Sequence, residues 1–542
     1  MRINVWRVTA KTPLSKNKNW LLNLLAKNRG LTTKKKLDEF LNPKFEDILK
    51  ISLSDTKRAL ERIIKAIKNK EKIIVYSDYD ADGICATAIM WETLYDLGAD
   101  VLPYVPHRIK EGYGLFSPAI SQLAKEKVKL IITVDHGVTA NTQIEHARKL
   151  GVDVIVTDHH LLPKKLPKAY ALVHTTDLCG AGVAWRFCWD IVRRIEPTYK
   201  EALIEKLELA ALATIADLVP LLFANRAIVK IGLEKLRETK RFGIKALIKA
   251  SNLNSQLGTY EIGHILVPRI NAMGRIEHGL DSLRLLCAKS QRQADDLAQL
   301  LSKTNSKRQD LTAKVIIHAR DMVDEDKIIG VVSHDSWHEG IIGLVASRLV
   351  ESFHKPMIVI SKGEVYSKGS ARSIPGFDIV EAITSSSELL VDGGGHPMAA
   401  GFTIETKHID KFTRRMTSYA TGRITNEQLT PVINVECELD TKDINNETLK
   451  TIGLFEPYGI ANPQPTFLTR NMLVEDVKCV GSTNQHLKLQ VNGISTIGFN
   501  MGELRAQIRP GYSVDLVYNL AEDRFNGTEA IQLKIKDLSI KD

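Results

Sequence analysis

Two hydrophobic periodicities alternate along the first half of the chain. Short apolar runs of β-type composition, Lys72-Ile73-Ile74-Val75-Tyr76, Leu130-Ile131-Ile132-Thr133-Val134 and Val152-Asp153-Val154-Ile155-Val156, are separated by stretches whose apolar residues recur at helical spacing. Strand, helix, strand at short intervals between about residues 55 and 225 predicts a parallel sheet with helices on both faces. The carboxyl ends of such strands share one edge, and that edge is where open α/β sheets bind ligands. Each of the three runs leads directly into acids or histidines: Asp78-Tyr79-Asp80-Ala81-Asp82-Gly83, Asp135-His136-Gly137 and Asp158-His159-His160.

The pattern changes further along, and 542 residues are too many for one core. Residues 1–54 are basic and mostly helical in pattern, and 55–225 form the α/β unit. Residues 226–325 read as a helical connector containing a loop, Pro268-Arg269-Ile270-Asn271-Ala272-Met273-Gly274-Arg275. From Ser282 to about Val323 there is no proline or glycine, and Leu297, Leu300, Leu301, Leu311 and Val315 keep helical spacing. That predicts one helix roughly 60 Å long, the alternative being two helices broken near Thr304-Asn305. A second α/β unit, 326–425, opens at Ile328-Ile329-Gly330-Val331-Val332. Residues 430–542 carry short β-type runs, at Leu487–Val491, Ser513–Tyr518 and Ala530–Ile535, which predict a small β-barrel of the OB kind.

Composition narrows the class of protein. The net charge of +10 favours polyanionic partners. Hydrophobic residues at 44% and charged residues at 25% are a soluble globular balance. The six cysteines are scattered without a CxxC pair, which argues against a zinc knuckle or disulfide scaffold and for reduced thiols. The N-terminus lacks the apolar core of a signal peptide, and no apolar run approaches the roughly 18 residues of a membrane span. A cytoplasmic protein is expected.

The acids carry the candidate chemistry. Gly83 permits a tight strand-to-helix turn that aims Asp78, Asp80 and Asp82 at a common point. Hard oxygen ligands suit magnesium or manganese, and a histidine ligand favours manganese. Adding Asp135 and His159 gives enough ligands for two divalent ions. Asp217 ends a long apolar helical pattern, where the helix dipole disfavours an acid that has no cationic partner. Two metals about 3.5–4 Å apart activate water and stabilise the entering and leaving oxygens at phosphorus. The expected reaction is hydrolysis of a phosphate ester.

At these residues the chain resembles a known family. Asp158-His159-His160 is similar to the signature of the DHH phosphoesterases, and Asp78–Gly83 resembles their first motif. Further likeness runs through Pro106-His107-Arg108, Glu111–Gly114, Gly180–Ala184, Asn225-Arg226, Trp337–Gly343, Gly369–Ser373, Gly393–Pro397 and Glu456–Gly459. Within that superfamily the chain resembles the bacterial single-strand-specific 5′→3′ DNA exonucleases. The resemblance implies a DHH domain joined by a long helix to a DHH-associated domain, followed by an OB barrel. It implies that Asp80, Asp82, Asp135, His159 and Asp217 hold two Mn2+ or Mg2+ ions, with Asp135 bridging and Asp78 in support. His160 would sit by the scissile phosphate and Asp158 would orient a neighbouring histidine; His136 is left open between a ligand and a group behind one. Arg108, Arg269, Arg275 and Arg372 become candidates to clamp the 5′ end and backbone, with Ser370, Gly394, Gly395 and His396 adding donors.

The resemblance further implies a monomer that takes single-stranded DNA into a groove too narrow for duplex, releases 5′-mononucleotides and serves repair and recombination. A helicase and a single-strand-binding protein are candidate partners. The alternatives are a small-substrate DHH phosphodiesterase, acting on nanoRNA, 3′-phosphorylated nucleotides or cyclic dinucleotides, and a non-catalytic DNA-binding scaffold. Against the family pattern, Ser77 replaces a glycine, His174-Thr175 replaces Asn-Pro, and Leu222-Phe223-Ala224 replaces a more polar stretch.

Overall fold

The acid-ended runs are strands of one parallel sheet. The structure, a computed structural model, describes residues 4–13, 16–253, 257–523 and 530–541; residues 1–3, part of the segment read for a signal peptide, lie outside them. Strands β1 (Lys72–Tyr76), β2 (Val101–Tyr104), β3 (Val128–Val134), β4 (Asp153–Asp158) and β5 (Ala171–His174) pair in the order β2-β1-β3-β4-β5. Their near-continuous apolar runs follow from burial on both faces. Ile73, Val75, Ile132 and Ile155 enter one core, with helices α1 (Ala81–Asp96) and α2 (Gly180–Ile195). Ile74, Ile131, Val154 and Val156 enter the other. The chain leaves β1 toward β2 and returns on the far side to β3, so the strand order reverses between β1 and β3. A crevice opens at such a reversal, and here it receives the acids that follow both strands.

Helix α3 (Leu207–Ala216) is apolar apart from Glu208 and Thr214 and is buried, packing against α1 and against α4 (Phe223–Arg237). The connector departs from expectation twice. The predicted loop from Pro268 to Arg275 is helix α5 (Val267–Ile276): Pro268 falls in its first turn, directly after a π-helical turn at Ile262–Leu266. The predicted single long helix is two, Leu280–Leu286 and α6 (Gln291–Asp321). The break lies before Ser290, whose hydroxyl caps Gln293 N–H at 3.4 Å, and the chain runs helical through Thr304 and Asn305. The 31 residues of α6 make a strut about 46 Å long.

The second unit has a mixed sheet of β6 (Gly330–His334), β7 (Met357–Ser361), β8 (Tyr366–Arg372), β9 (Leu390–His396) and β10 (Ala399–Glu405), in the order β9-β10-β8-β7-β6. Only the β6–β7 pair is parallel, and β9, paired with β10 alone, is a glycine-rich edge strand. In the C-terminal sheet, Phe467–Val480 pairs with both His486–Val491 and Ser513–Glu522, and Ile494–Gly498 pairs with Ile531–Lys541. The sheet therefore closes as a barrel. The N-terminal segment is not wholly helical: Val5–Val8 pairs in parallel with Val432–Val435. Leu21, Leu24, Leu25 and Phe40 share a core with the barrel residues Phe467, Leu516 and Leu533. Among the described residues no helix is long and apolar enough to cross a membrane.

Candidate metal centre

The first turn of α1 fixes the aspartate loop. Asp80 is the N-cap, its Oδ1 accepting Asp82 N–H at 3.0 Å and Gly83 N–H at 3.1 Å. Gly83 is required by close approach, since a Cβ there would lie 2.7 Å from Asp78 Cβ. The unusual Ser77 is woven into the same turn: its hydroxyl donates to Gly83 O at 3.1 Å and meets Thr87 Oγ1 at 2.6 Å. Asp82 points to the N-terminus of α2, where Gly180 N–H and Ala181 N–H each donate to its carboxylate at 2.7 Å. Gly180 leaves room for the next acid, because a Cβ on it would sit 2.4 Å from Asp135 Oδ1.

Asp135 follows β3 in a left-handed conformation, φ 67°. His159 Nε2 lies 3.1 Å from Asp135 Oδ1, 3.7 Å from Asp217 Oδ2 and 3.9 Å from Asp82 Oδ2. Three sets of possible ligand atoms lie within 4.8 Å of one another: Asp78, Asp80 and Asp135; Asp82, His159 and Asp217; and Asp135, His159 and His160. Every residue predicted to ligate metal is in this cluster. His136 is in none of the sets; it is fully buried, and its Nε2 meets Tyr76 O at 3.0 Å.

The electrostatics of the cluster call for a cation. Burial, then the charge of Asp80, pushes the Asp82 carboxyl up to about 6. Burial, then Asp82 and Asp80, pushes Asp217 up to about 8. Asp78 and Asp135 also rise well above the carboxylate range, through burial and then their acidic neighbours. Burial holds His159 down at about 4, the neutral form that ligates. Asp135 Oδ1 and His159 Nε2 are buried and neither makes a hydrogen bond. Buried polar atoms are normally paired. Two that face each other unpaired, among carboxylates, fit divalent ions well.

His160 differs from its neighbour. Asp158, buried and receiving N–H bonds from Val138, His159 and His160, holds His160 Nδ1 at 2.7 Å. Burial opposes the imidazolium, but Asp158 raises it to about 9, which favours the protonated ring. His174, the departure from the family pattern, lies 2.8 Å through its Nε2 from the His160 carbonyl and steadies the motif.

The second unit faces this cluster. The His396 ring on β9 stacks on His160, with centroids 6.3 Å apart and planes at 8°. Gly394 is exposed beside it, and Gly395 at φ 149° passes so close to Ala399 O that a Cβ would lie 2.3 Å away. Arg372 donates to Ser370 Oγ at 3.2 Å, and both border Gly343. Arg275 is pushed down to about 10 by burial and by the charges of Arg108, Arg308 and Arg372. Arg108 lies over the Tyr79 ring at 5.0 Å. None of these arginines has an acidic partner in an ion pair among the described residues, and the charges of Arg108, Arg308 and Arg372 are near enough to Arg275 to lower it.

Arg269 stands apart: it spends its bonds on Ile265 O at 2.6 Å and Ser302 Oγ at 3.3 Å. Sequence reasoning missed Arg308, which looks like any solvated helix charge. It also missed Tyr113, whose hydroxyl reaches Asp135 O at 3.4 Å and whose ring packs edge-on to Tyr79 and His160. Phe223, in the other departure, is 83% exposed at φ 45°, and nothing in the fold explains it.

Comparison with known proteins agrees with this layout. Family models match at residues 72–215 (DHH family, N-terminal domain), 325–422 (DHHA1 domain) and 435–537 (RecJ OB domain). The single-stranded-DNA-specific exonuclease RecJ of Bacillus subtilis is 36% identical over 96% of this chain and 68% of its own length. The protein of the same name from Dickeya dadantii is 32% identical over 98% of both chains. The crystal structure of RecJ from Thermus thermophilus in complex with Mn2+ superposes with a TM-score of 0.84 at 30% identity, covering 99% of this chain and 80% of that one. With the three family models in that order along it and relatives 36% and 32% identical over nearly its whole length, the chain belongs to the RecJ family.

Proposed function

We propose that this chain is a single-strand-specific DNA exonuclease. It removes 5′-mononucleotides in the 5′→3′ direction with the help of two divalent ions, Mn2+ or Mg2+. The observation that carries this reading is the packing of possible ligand atoms from Asp78, Asp80, Asp82, Asp135, His159 and Asp217, with His160 beside them, into sets that each lie within 4.8 Å. Asp80, Asp82, Asp135, His159 and Asp217 would hold the ions, with Asp78 in support. The chemistry such ions supply at phosphorus is Lewis acidity, which acidifies water and neutralises phosphoryl oxygens.

The chain's own residues do the rest. Arg108, Arg275, Arg308 and Arg372, with Ser370 and the Gly394–Gly395 amides, hold the terminal phosphate and set which end enters. His396 packs on His160 and helps close the cleft. Protonated His160, oriented by Asp158, stands beside the scissile phosphate and gives its proton to the departing 3′-oxygen. The division into segments 1–54, 55–225, 226–325, 326–425 and 430–542 assigns the barrel to the trailing strand, bound without sequence preference and with strong salt dependence. A cytoplasmic monomer in repair and recombination, working with a helicase and a single-strand-binding protein, completes the reading.

The test is degradation of end-labelled single-stranded and duplex DNA with manganese, alongside Asp135→Ala. A 5′ label should leave first, as mononucleotide, from the single strand only. Loss of the 3′ label first would reverse the polarity, and full activity in Asp135→Ala would remove the metal assignment.

A further inference from the structure

Helix α5 touches the aspartate loop at two points, and the exonuclease reading gives neither a role. Asn271 Oδ1 accepts the N–H of Ala81 at 2.7 Å, across 190 positions of sequence. Ala81 lies between Asp80 and Asp82 and is the first residue of α1, whose amide has no partner inside its own helix. Gly274 is the second point: a Cβ there would lie 2.5 Å from the carbonyl oxygen of Tyr79, a backbone atom that cannot swing aside. Glycine inside a helix costs about 1 kcal/mol relative to alanine. Its presence here matches the close passage of the loop. Residues 79–81, which join Asp78, Asp80 and Asp82, therefore rest on α5.

The residue after Gly274 meets the second unit. Arg275 Nη1 donates to Gly340 O at 3.3 Å, and a Cβ on Gly340 would lie 2.1 Å from Arg275 O. From behind, Ser282 Oγ donates to Ile270 O at 2.8 Å and fixes the helix. One ten-residue helix thus bears both on the aspartate loop and, through the next residue, on the facing domain.

We infer that α5 is the positioning element of the metal centre, with Asn271 and Gly274 as positioning residues that set the spacing of Asp78, Asp80 and Asp82 according to where the second unit lies. Neither residue touches metal or substrate. The inference rests on the two-metal reading of the site.

The test is manganese binding by calorimetry on the full chain, with wild type, Asn271→Ala, Asn271→Asp and Asp135→Ala, each also melted in chelator. Asn271→Ala removes one hydrogen bond and little volume. It should weaken manganese binding about tenfold, the worth of one ordinary bond, and raise the manganese needed for half-maximal activity by the same factor. Its melting point in chelator should stay near wild type. Asn271→Asp keeps an acceptor for Ala81 N–H and should bind within about threefold of wild type. Gly274→Ala, which forces the loop to shift, should weaken binding further. Wild-type manganese affinity in Asn271→Ala, or an Asn271→Asp variant as weak as Asn271→Ala, overturns the inference while the metal reading stands. Wild-type protein that takes up no manganese, or Asp135→Ala that binds like wild type, overturns the metal reading and this inference with it.

Discussion

Arg226 is the residue whose loss should most disturb the tie between catalytic unit and barrel. It is 1% exposed, on α4, with no acidic partner in an ion pair among the described residues. Its guanidinium donates only to carbonyls: Phe40 O at 2.6 Å, Pro457 O at 3.1 Å, and Phe455 O and Glu456 O at 3.0 and 2.7 Å. The Phe40 ring lies 3.9 Å from the guanidinium carbon. The N-terminal helical segment, the catalytic unit and the start of the barrel domain therefore meet at one side chain. Replacing it with methionine keeps most of the apolar stem and removes every one of these bonds. Each is worth about 1 kcal/mol net, and the cation–π contact about 1 more. The carbonyls of Phe455 and Pro457 keep a second donor, Asn462 Nδ2, at 2.8 and 2.9 Å, which limits the damage there. Recovered desolvation of the charge offsets part of the rest. The expected loss is about 3–4 kcal/mol, carried by the calorimetric transition that contains the barrel. Cleavage of long single strands should fall more than cleavage of a dinucleotide, because the metal centre is untouched. A loss under about 1 kcal/mol, or equal loss on both substrates, would refute the view that this contact holds the barrel to the catalytic unit.

Asp135→Asn should raise stability by about 1–2 kcal/mol in chelator, because it removes a buried carboxylate that its neighbours repel, and the order should invert with saturating manganese; denaturation under both conditions checks this, and a variant weaker than wild type in chelator would contradict it. Glu92 gives the pH prediction. Burial opposes its ionisation, but Arg241 bonds at 2.7 and 2.9 Å hold it down at about 2. Its folded value is depressed, so its contribution, about 3 kcal/mol, is present above its ordinary value of 4.5 and is lost as pH falls toward about 2. Glu208, which burial raises on the same arginine, opposes part of this, so the readout is the stability gap between wild type and Glu92→Gln. That gap should shrink from about pH 5 to about pH 3, and a gap that grows would fail the prediction.

The parts of the structure that were readable in sequence are those decided locally. The three acid-ended strands could be found because a parallel strand buried on both faces leaves a continuous apolar run, and its carboxyl end is where the polar residues resume. The helix break was also readable: Ser290-Gln291-Arg292-Gln293 has the spacing of a capping box. The absence of glycine and proline, on which one long helix was expected, shows where a helix is permitted and not where it stops. Helix α5 was misread for the converse reason. Proline, asparagine and glycine in Pro268–Arg275 punctuate a chain in isolation, but Pro268 sits in a first turn and Gly274 answers a backbone from 195 positions earlier. The strand Val5–Val8 pairs with residues more than 400 positions away, so no local signal marked it. Arg226 read as one more basic residue in a motif, because a side chain that ties three segments together shows nothing of this in its own neighbourhood.

The acids of the metal centre fall into two groups by what holds them. Asp78, Asp80 and Asp82, with Asp158 behind them, are each fixed by backbone N–H donors at helix starts or in the turn after a strand. Those bonds orient a carboxylate and make its charge bearable. Asp135 Oδ1 and His159 Nε2 have no such donors, and Asp217 caps the end of α3, where the dipole works against it. A fold that spends amides on some acids and withholds them from the atoms at the centre makes those atoms costly unless a cation joins them. Such a centre is defined by the relative placement of its supports, the N-termini of α1 and α2 and the end of α3. A helix that seats the α1 loop and also abuts the second unit, as α5 does, is therefore placed to make the metal geometry depend on how the cleft is closed.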